Sequence, residues 1–187
     1  MSKRLEEILD YNKKFVINKE YEPFVTTKIP NKKMVILTCM DTRLTELLPK
    51  SMNIGNGDAK IVKNAGALVS HPFGSIMRSI LVAVYGLQAE EVFVIGHRDC
   101  GMTGMHAEPI IEKALEAGVS QEKIDTLRHS GIDIDHFLQG FESVEESVKE
   151  SVNTIKHHPL LPEYVTVHGL VIDPHTGELE LIVNGNQ

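Results

Sequence analysis

Residues 91–96 read E-V-F-V-I-G and run without a break into His97-Arg98-Asp99-Cys100-Gly101. A continuous apolar run of strand formers, rather than an alternating one, predicts a strand covered on both faces. The chain repeats the device. Residues 34–38 form a short apolar run that ends at Cys39, and residues 59–63 form another that ends in Asn64-Ala65-Gly66. Helical patterns separate these runs. A short helix is expected over 45–52, and Phe73, Ile76, Met77, Ile80, Leu81, Val84 and Leu87 mark a second with a broad apolar face. Residues 107–130 are charged and helical in character, broken near Gly118-Val119-Ser120. Val144, Val148, Val152 and Ile155 recur at three- or four-residue steps, giving a helix that should end at His157-His158-Pro159. Residues 165–172 and 179–183, joined by the turn Asp173-Pro174-His175-Thr176-Gly177, predict a closing hairpin.

Strands alternating with helices require parallel crossovers. The expectation is therefore an α/β fold: a mostly parallel central sheet of about five strands, one antiparallel edge strand, and helices on both faces. A chain of 187 residues suits one domain spanning 1–187. Leu5, Ile8, Leu9 and Phe15 share one face of a helix over 3–17, and Pro23 and Pro30 break up an extended connector over 20–33. Residues 1–32 thus read as an N-terminal helix and connector arm.

Composition narrows the partners. A net charge of −7 and no basic stripe disfavour nucleic acid. No apolar run approaches the ~20 residues that span a bilayer, and acids interrupt the first residues where a signal peptide would be apolar. No membrane partner and a cytoplasmic location are the resulting expectations. Only two cysteines occur, Cys39 and Cys100, and in a chain of this kind a structural disulfide is not expected. The plainest alternative is two unrelated buried thiols.

Their neighbours argue otherwise. In open α/β sheets ligands bind beyond the carboxyl ends of the strands, where strand order reverses. Cys39, the segment Lys63-Asn64-Ala65-Gly66, and His97-x-x-Cys100 each directly follow a predicted strand, so all three should emerge on one edge. Two thiolates and an imidazole suit zinc and leave one tetrahedral position open, with Asp41 able to close it.

Cys39-Met40-Asp41-Thr42-Arg43 and His97-Arg98-Asp99-Cys100-Gly101 resemble the two signature motifs of the beta-class carbonic anhydrases. Gly57 to Gly66, G-D-A-K-I-V-K-N-A-G, is similar to the segment between them, with Lys63 where many members have arginine. Lysine there, the short chain and V-H-G-L-V-I-D over 167–173 are most similar to the compact archaeal-type branch, which also occurs in bacteria. The resemblance covers residues from about 34 to 183. It implies one Zn2+ per subunit on Cys39, His97 and Cys100. Asp41 and Arg43 are implied as the accompanying catalytic dyad, in which the aspartate either pairs with the arginine or swings onto zinc as a fourth ligand. The implied reaction is reversible hydration of carbon dioxide to bicarbonate and a proton through zinc-bound hydroxide. Lys63, Asn64, Ala65, Gly66 and Gly101 would border the substrate cleft. A homodimer or higher homo-oligomer is also implied. Two thiolates give the metal more charge than imidazoles do, which predicts best activity above neutral pH. Two departures stand out. The glutamine that plant-type members carry before the first cysteine is missing from Ile29-Pro30-Asn31-Lys32-Lys33, and a chain without tryptophan lacks the usual Trp-containing bicarbonate-inhibition site.

Other residues carry weaker expectations. His106, His129, His136, His157, His158 and His175 read as surface residues, and His168 as a hydrogen-bonded core histidine. His71 is a candidate for the cleft or for proton relay. Arg98 and Asp99 read as solvent-facing or as lying behind the ligands, and Gly101 and Gly104 as positions where backbone N–H groups approach Cys100. The 73–87 stripe reads as core. A Cys39–His97 nucleophile pair would leave Cys100 unexplained. Two rivals remain: a related zinc hydrolase of carbon disulfide or carbonyl sulfide, and a non-enzymatic zinc-binding or sensor protein.

Overall fold

The computed structural model describes residues 2–187. Five strands form one sheet: β1 (Met34–Cys39), β2 (Ala59–Asn64), β3 (Glu91–His97), β4 (Thr166–Ile172) and β5 (Leu179–Val183). Their order is β2-β1-β3-β4-β5. All neighbours are parallel except β4 and β5, which pair antiparallel as the predicted hairpin. The expected architecture is therefore observed.

Seven α-helices lie among the described residues: α1 (Lys3–Ile17), α2 (Leu44–Ser51), α3 (Ser75–Leu87), α4 (Glu108–Glu116), α5 (Gln121–His129), α6 (Ile134–Leu138) and α7 (Val144–Lys156). The pleat of the central strands explains the layers. Val35 and Leu37 of β1, with Val92 and Val94 of β3, join Met77 and Ile80 of α3 and Val148, Val152 and Ile155 of α7 in one core. Ile36 and Ile95 point the other way and meet Leu44 and Leu48 of α2. The helix α7 comes unusually close to the sheet, because two strand glycines make room for it. A Cβ on Gly96 would lie 2.6 Å from a Val144 methyl, and one on Gly169 2.7 Å from a Val148 methyl. Helices α4, α5 and α6 hold a small cluster of their own around Ile111, Ile124 and Ile134.

Three details differ from what the chain suggests. Phe73 lies outside α3, which begins after Gly74, and is 70% exposed rather than core. His158 is buried, not on the surface, because the turn after α7 folds back on the domain. Its ring packs 5.1 Å from that of Phe73, and its Nδ1 accepts a hydrogen bond from the Leu160 N–H. The connector is not wholly extended, since Pro23 sits in a short 3-10 turn over Glu22–Phe24. The core reading of His168 holds: it is buried, stacked on Phe93, and accepts from the Gly185 N–H.

Candidate metal centre

Strand order reverses between β1 and β3, and the chemistry-bearing residues gather at that edge. Cys39 is the last residue of β1 and His97 the last of β3. The turn after β3 brings back Cys100, so three side chains from two adjacent parallel strands meet. The donor atoms of Cys39, His97 and Cys100 all lie within 4.8 Å of one another, and all three residues are buried. Tetrahedral zinc with sulfur and nitrogen ligands needs donors roughly 3.5–4 Å apart, so the cluster fits the ion with minor closing.

A second observation supports the fit. His97 is 1% exposed, and its Nδ1 lies 2.8 Å from the Arg98 carbonyl oxygen. That carbonyl can only accept, so Nδ1 carries the proton and Nε2 presents a lone pair. Nε2 has no hydrogen-bond partner although it is fully buried. A buried polar atom without a partner is costly, and one within 4.8 Å of two sulfurs stands where a metal ligand would.

The electrostatics point the same way. The hydrogen bond with Cys100 lowers the Cys39 thiol pKa against the opposing effect of burial, and His97 and the backbone N–H groups of Gly66 and Asp41 lower it further. The same sulfur–sulfur contact, with burial, raises the Cys100 thiol. Burial works against a charge on His97, yet its contacts with Cys39 and the Arg98 carbonyl leave its pKa raised. These contacts favour negative charge on the Cys39 sulfur, and with it a cation placed beside the cluster. Gly66 contributes through its backbone, at φ +83 in the turn after β2, a conformation that glycine adopts without strain.

Asp41 and Arg43 stand next to these donors. One Asp41 oxygen, Oδ2, is 3.8 Å from His97 Nε2. The carboxylate is turned toward Arg43, whose Nε donates to Oδ1 and Oδ2 at 3.1 and 3.2 Å and whose Nη2 donates to Oδ2 at 2.8 Å. The Arg43 backbone N–H adds a bond of 2.8 Å to Oδ1. The arginine hydrogen bonds hold the Asp41 pKa at about 2, despite partial burial. The turn from β1 into α2 makes this possible, because Arg43 sits at the N-cap position of α2 with its side chain bonded to Asp41 rather than to the helix.

A cleft of about 650 Å3 opens over the cluster, bordered by Met40, Thr42, Ala65 and Met102 as well as the residues above. Of the five residues expected around the substrate, Ala65 and Gly101 border this cleft; Lys63, Asn64 and Gly66 are not among its lining residues. Lys63 reaches Thr45 Oγ1 at 3.4 Å, and the Asn64 side chain ties the following loop through Leu68. His71 is exposed, also outside the lining, with its Nδ1 accepting from the Phe73 N–H. The Met102 backbone N–H meets the Cys100 sulfur. Spacing alone gave no sign of Met40 and Met102 as walls of the cleft, nor of the contact between Asp99 and Arg43.

A protein-family model described as carbonic anhydrase matches residues 34–179. The Bacillus subtilis protein YvdA, which itself carries only a provisional carbonic anhydrase assignment, is 62% identical over 181 residues, 97% of this chain and 92% of that protein. A crystal structure of beta-carbonic anhydrase isoform I from the protozoan Trichomonas vaginalis matches with a TM-score of 0.87 at 32% identity, covering 99% of this chain and 100% of that one. A carbon disulfide hydrolase of Acidithiobacillus thiooxidans is more distant, 26% identical over 157 residues, which is 80% of this chain and 76% of that enzyme.

Proposed function

The chain belongs to the beta-carbonic anhydrase family, and on that premise we propose that it catalyses the reversible hydration of carbon dioxide to bicarbonate and a proton. Cys39, His97 and Cys100 would hold one zinc ion per subunit. The observation that carries this assignment is the unpartnered, buried Nε2 of His97 beside two buried sulfurs. Zinc held there supplies Lewis acidity that makes a water molecule nucleophilic near neutral pH.

The protein's own residues do the rest. Asp41, with its pKa held at about 2, stays ionised at any working pH. It can accept a hydrogen bond from the attacking water and orient it, but it does not deliver a proton. Arg43 keeps that carboxylate beside the donors rather than among them, which leaves room for water. The Met40, Ala65 and Met102 walls offer an apolar surface suited to a small uncharged substrate.

Hydrolysis of carbon disulfide or carbonyl sulfide is the second reading, because a carbon disulfide hydrolase shares the family at 26% identity. The likeness to the Trichomonas vaginalis beta-carbonic anhydrase, at 32% identity over nearly the whole chain, favours carbon dioxide. A non-enzymatic zinc protein is disfavoured by the four hydrogen bonds invested in holding Asp41 away from the ligand position. Beyond the site, we read residues 1–187 as one domain with an N-terminal arm over 1–32. We further read the chain as a cytoplasmic homo-oligomer, a dimer or larger, in which α1 reaches across to a neighbour. No residue of α1 is buried, and Leu5, Ile8 and Leu9 of its apolar face are exposed, which supports that reading.

Metal analysis with stopped-flow carbon dioxide hydration, beside a hydrogen sulfide release assay, tests the proposal. One zinc per chain, rapid hydration and no sulfide release are expected. Stoichiometric zinc with no hydration even at alkaline pH would overturn it, and sulfide release without hydration would favour the second reading.

A further inference from the structure

Arg43 does not bind Asp41 alone. Its Nη1 donates to a carboxylate oxygen of Asp99 at 2.9 Å, and its Nη2 donates to the Asp99 backbone carbonyl at 3.0 Å. Asp99 lies in the turn between His97 and Cys100, in the left-handed region at φ +53. Its carboxylate is 78% exposed, and among the described residues Arg43 is its only ion-pair partner. As a stabilising contact such an exposed pair is worth little. Its geometry matters more. The guanidinium is a flat fork, and Asp99 fixes it at two points while Asp41 takes the Nε–Nη2 edge. Nε and Nη1 each serve one of the two acids, and only Nη2 is shared, so Asp99 leaves the edge facing Asp41 in place.

We propose that Asp99 is a positioning residue: by clamping the Arg43 guanidinium against the turn that carries His97 and Cys100, it keeps the Asp41 carboxylate turned away from the three donor atoms. Without the Asp99 carboxylate, Nη1 loses its partner and only the Asp99 carbonyl still holds the guanidinium to the turn, so Arg43, a third exposed, can rotate toward solvent. Asp41 then loses its bidentate partner, and its Oδ2, already 3.8 Å from His97 Nε2, can turn toward the donor cluster. The inference rests on the zinc site and the Asp41 role proposed above.

Two substitutions separate positioning from charge. Asp99→Gly removes the side chain at no backbone cost, because glycine accepts φ +53. Asp99→Asn keeps an acceptor oxygen and tolerates the same backbone, but carries no charge. The readout is azide titration of the cobalt-substituted proteins followed by visible spectroscopy, which reports whether a ligand position is free. Asp99→Gly is expected to weaken azide binding about tenfold, with kcat/KM falling alongside and metal content unchanged. Asp99→Asn is expected to stay within about threefold of wild type. The double variant Asp41→Ala/Asp99→Gly should bind azide as Asp41→Ala alone does, since no carboxylate is left to close the site. Wild-type azide binding in Asp99→Gly overturns this inference alone, as does an Asp99→Asn protein as impaired as Asp99→Gly. Failure of the wild-type protein to take up cobalt overturns both it and the reading on which it rests. Failure to hydrate carbon dioxide with azide binding as expected would overturn the substrate assignment and leave the clamp standing.

Discussion

In the proposed reaction Asp41 is the single side chain on which most depends. Asp41→Ala should keep its zinc, because the three donors lie elsewhere, while kcat/KM for carbon dioxide hydration falls about tenfold or more. Loss of zinc from that variant would instead make Asp41 a resident ligand. The same carboxylate gives a stability signature. Its folded pKa of about 2 lies below the ordinary value of 3.8, so its pairing with Arg43 stabilises the fold fully above pH about 4. That contribution fades as pH falls through about 2. Urea denaturation should therefore show Asp41→Asn less stable than wild type at pH 7, with the gap narrowing from about pH 4 to about pH 2; a gap at pH 2 as wide as at pH 7 would mean the substitution acts through packing. A third expectation concerns rate. Two sulfur donors make a metal less electron-poor than histidines do, so kcat/KM should rise from acid to alkaline pH, and a flat profile would contradict the donor set.

Among the elements, β3 and α7 bear most on the site. Gly96 precedes His97, and α7 lies directly over it, with Val144 and Val148 methyls 2.6 and 2.9 Å from where a Cβ would stand. Gly96→Ala must therefore push α7 outward or tilt the end of β3, at a cost of about 1–3 kcal/mol. Denaturant melts should show that loss. Zinc affinity should fall as well, because the displaced strand end carries a ligand. Unchanged stability would mean that α7 yields freely. The helices themselves were legible from the spacing of their apolar residues, and the Val144–Ile155 stripe is buried as that spacing requires. Phe73 was misassigned because apolar character alone does not say where a helix starts: Gly74 supplies the extended residue from which α3 begins, leaving Phe73 outside it.

For the whole molecule, the unpartnered element is α1. None of its residues is buried, and Leu5, Ile8 and Leu9 face outward beside Tyr11. An isolated helix of 15 residues is marginal in water, so its apolar face calls for a partner. Removing residues 1–19 should weaken the proposed oligomer, and sedimentation velocity checks it; an unchanged profile would place the interface elsewhere. Truncation should leave the sheet intact, because α1 contributes nothing to the three core clusters.

The layered α/β architecture, the antiparallel closing hairpin, and the edge on which Cys39, His97 and Cys100 emerge can all be read from the chain alone. Those features follow from periodicity and from the rule that parallel strands deliver their ends to one side, and both are written in local spacing. Tertiary structure decided what each side chain touches. That the Arg43 fork spans both Asp41 and Asp99, and that His158 is buried against Phe73, depend on how segments far apart in the chain settle against each other. Contacts of that kind are fixed by packing and rotamer choice across dozens of intervening residues, and no motif spacing encodes them.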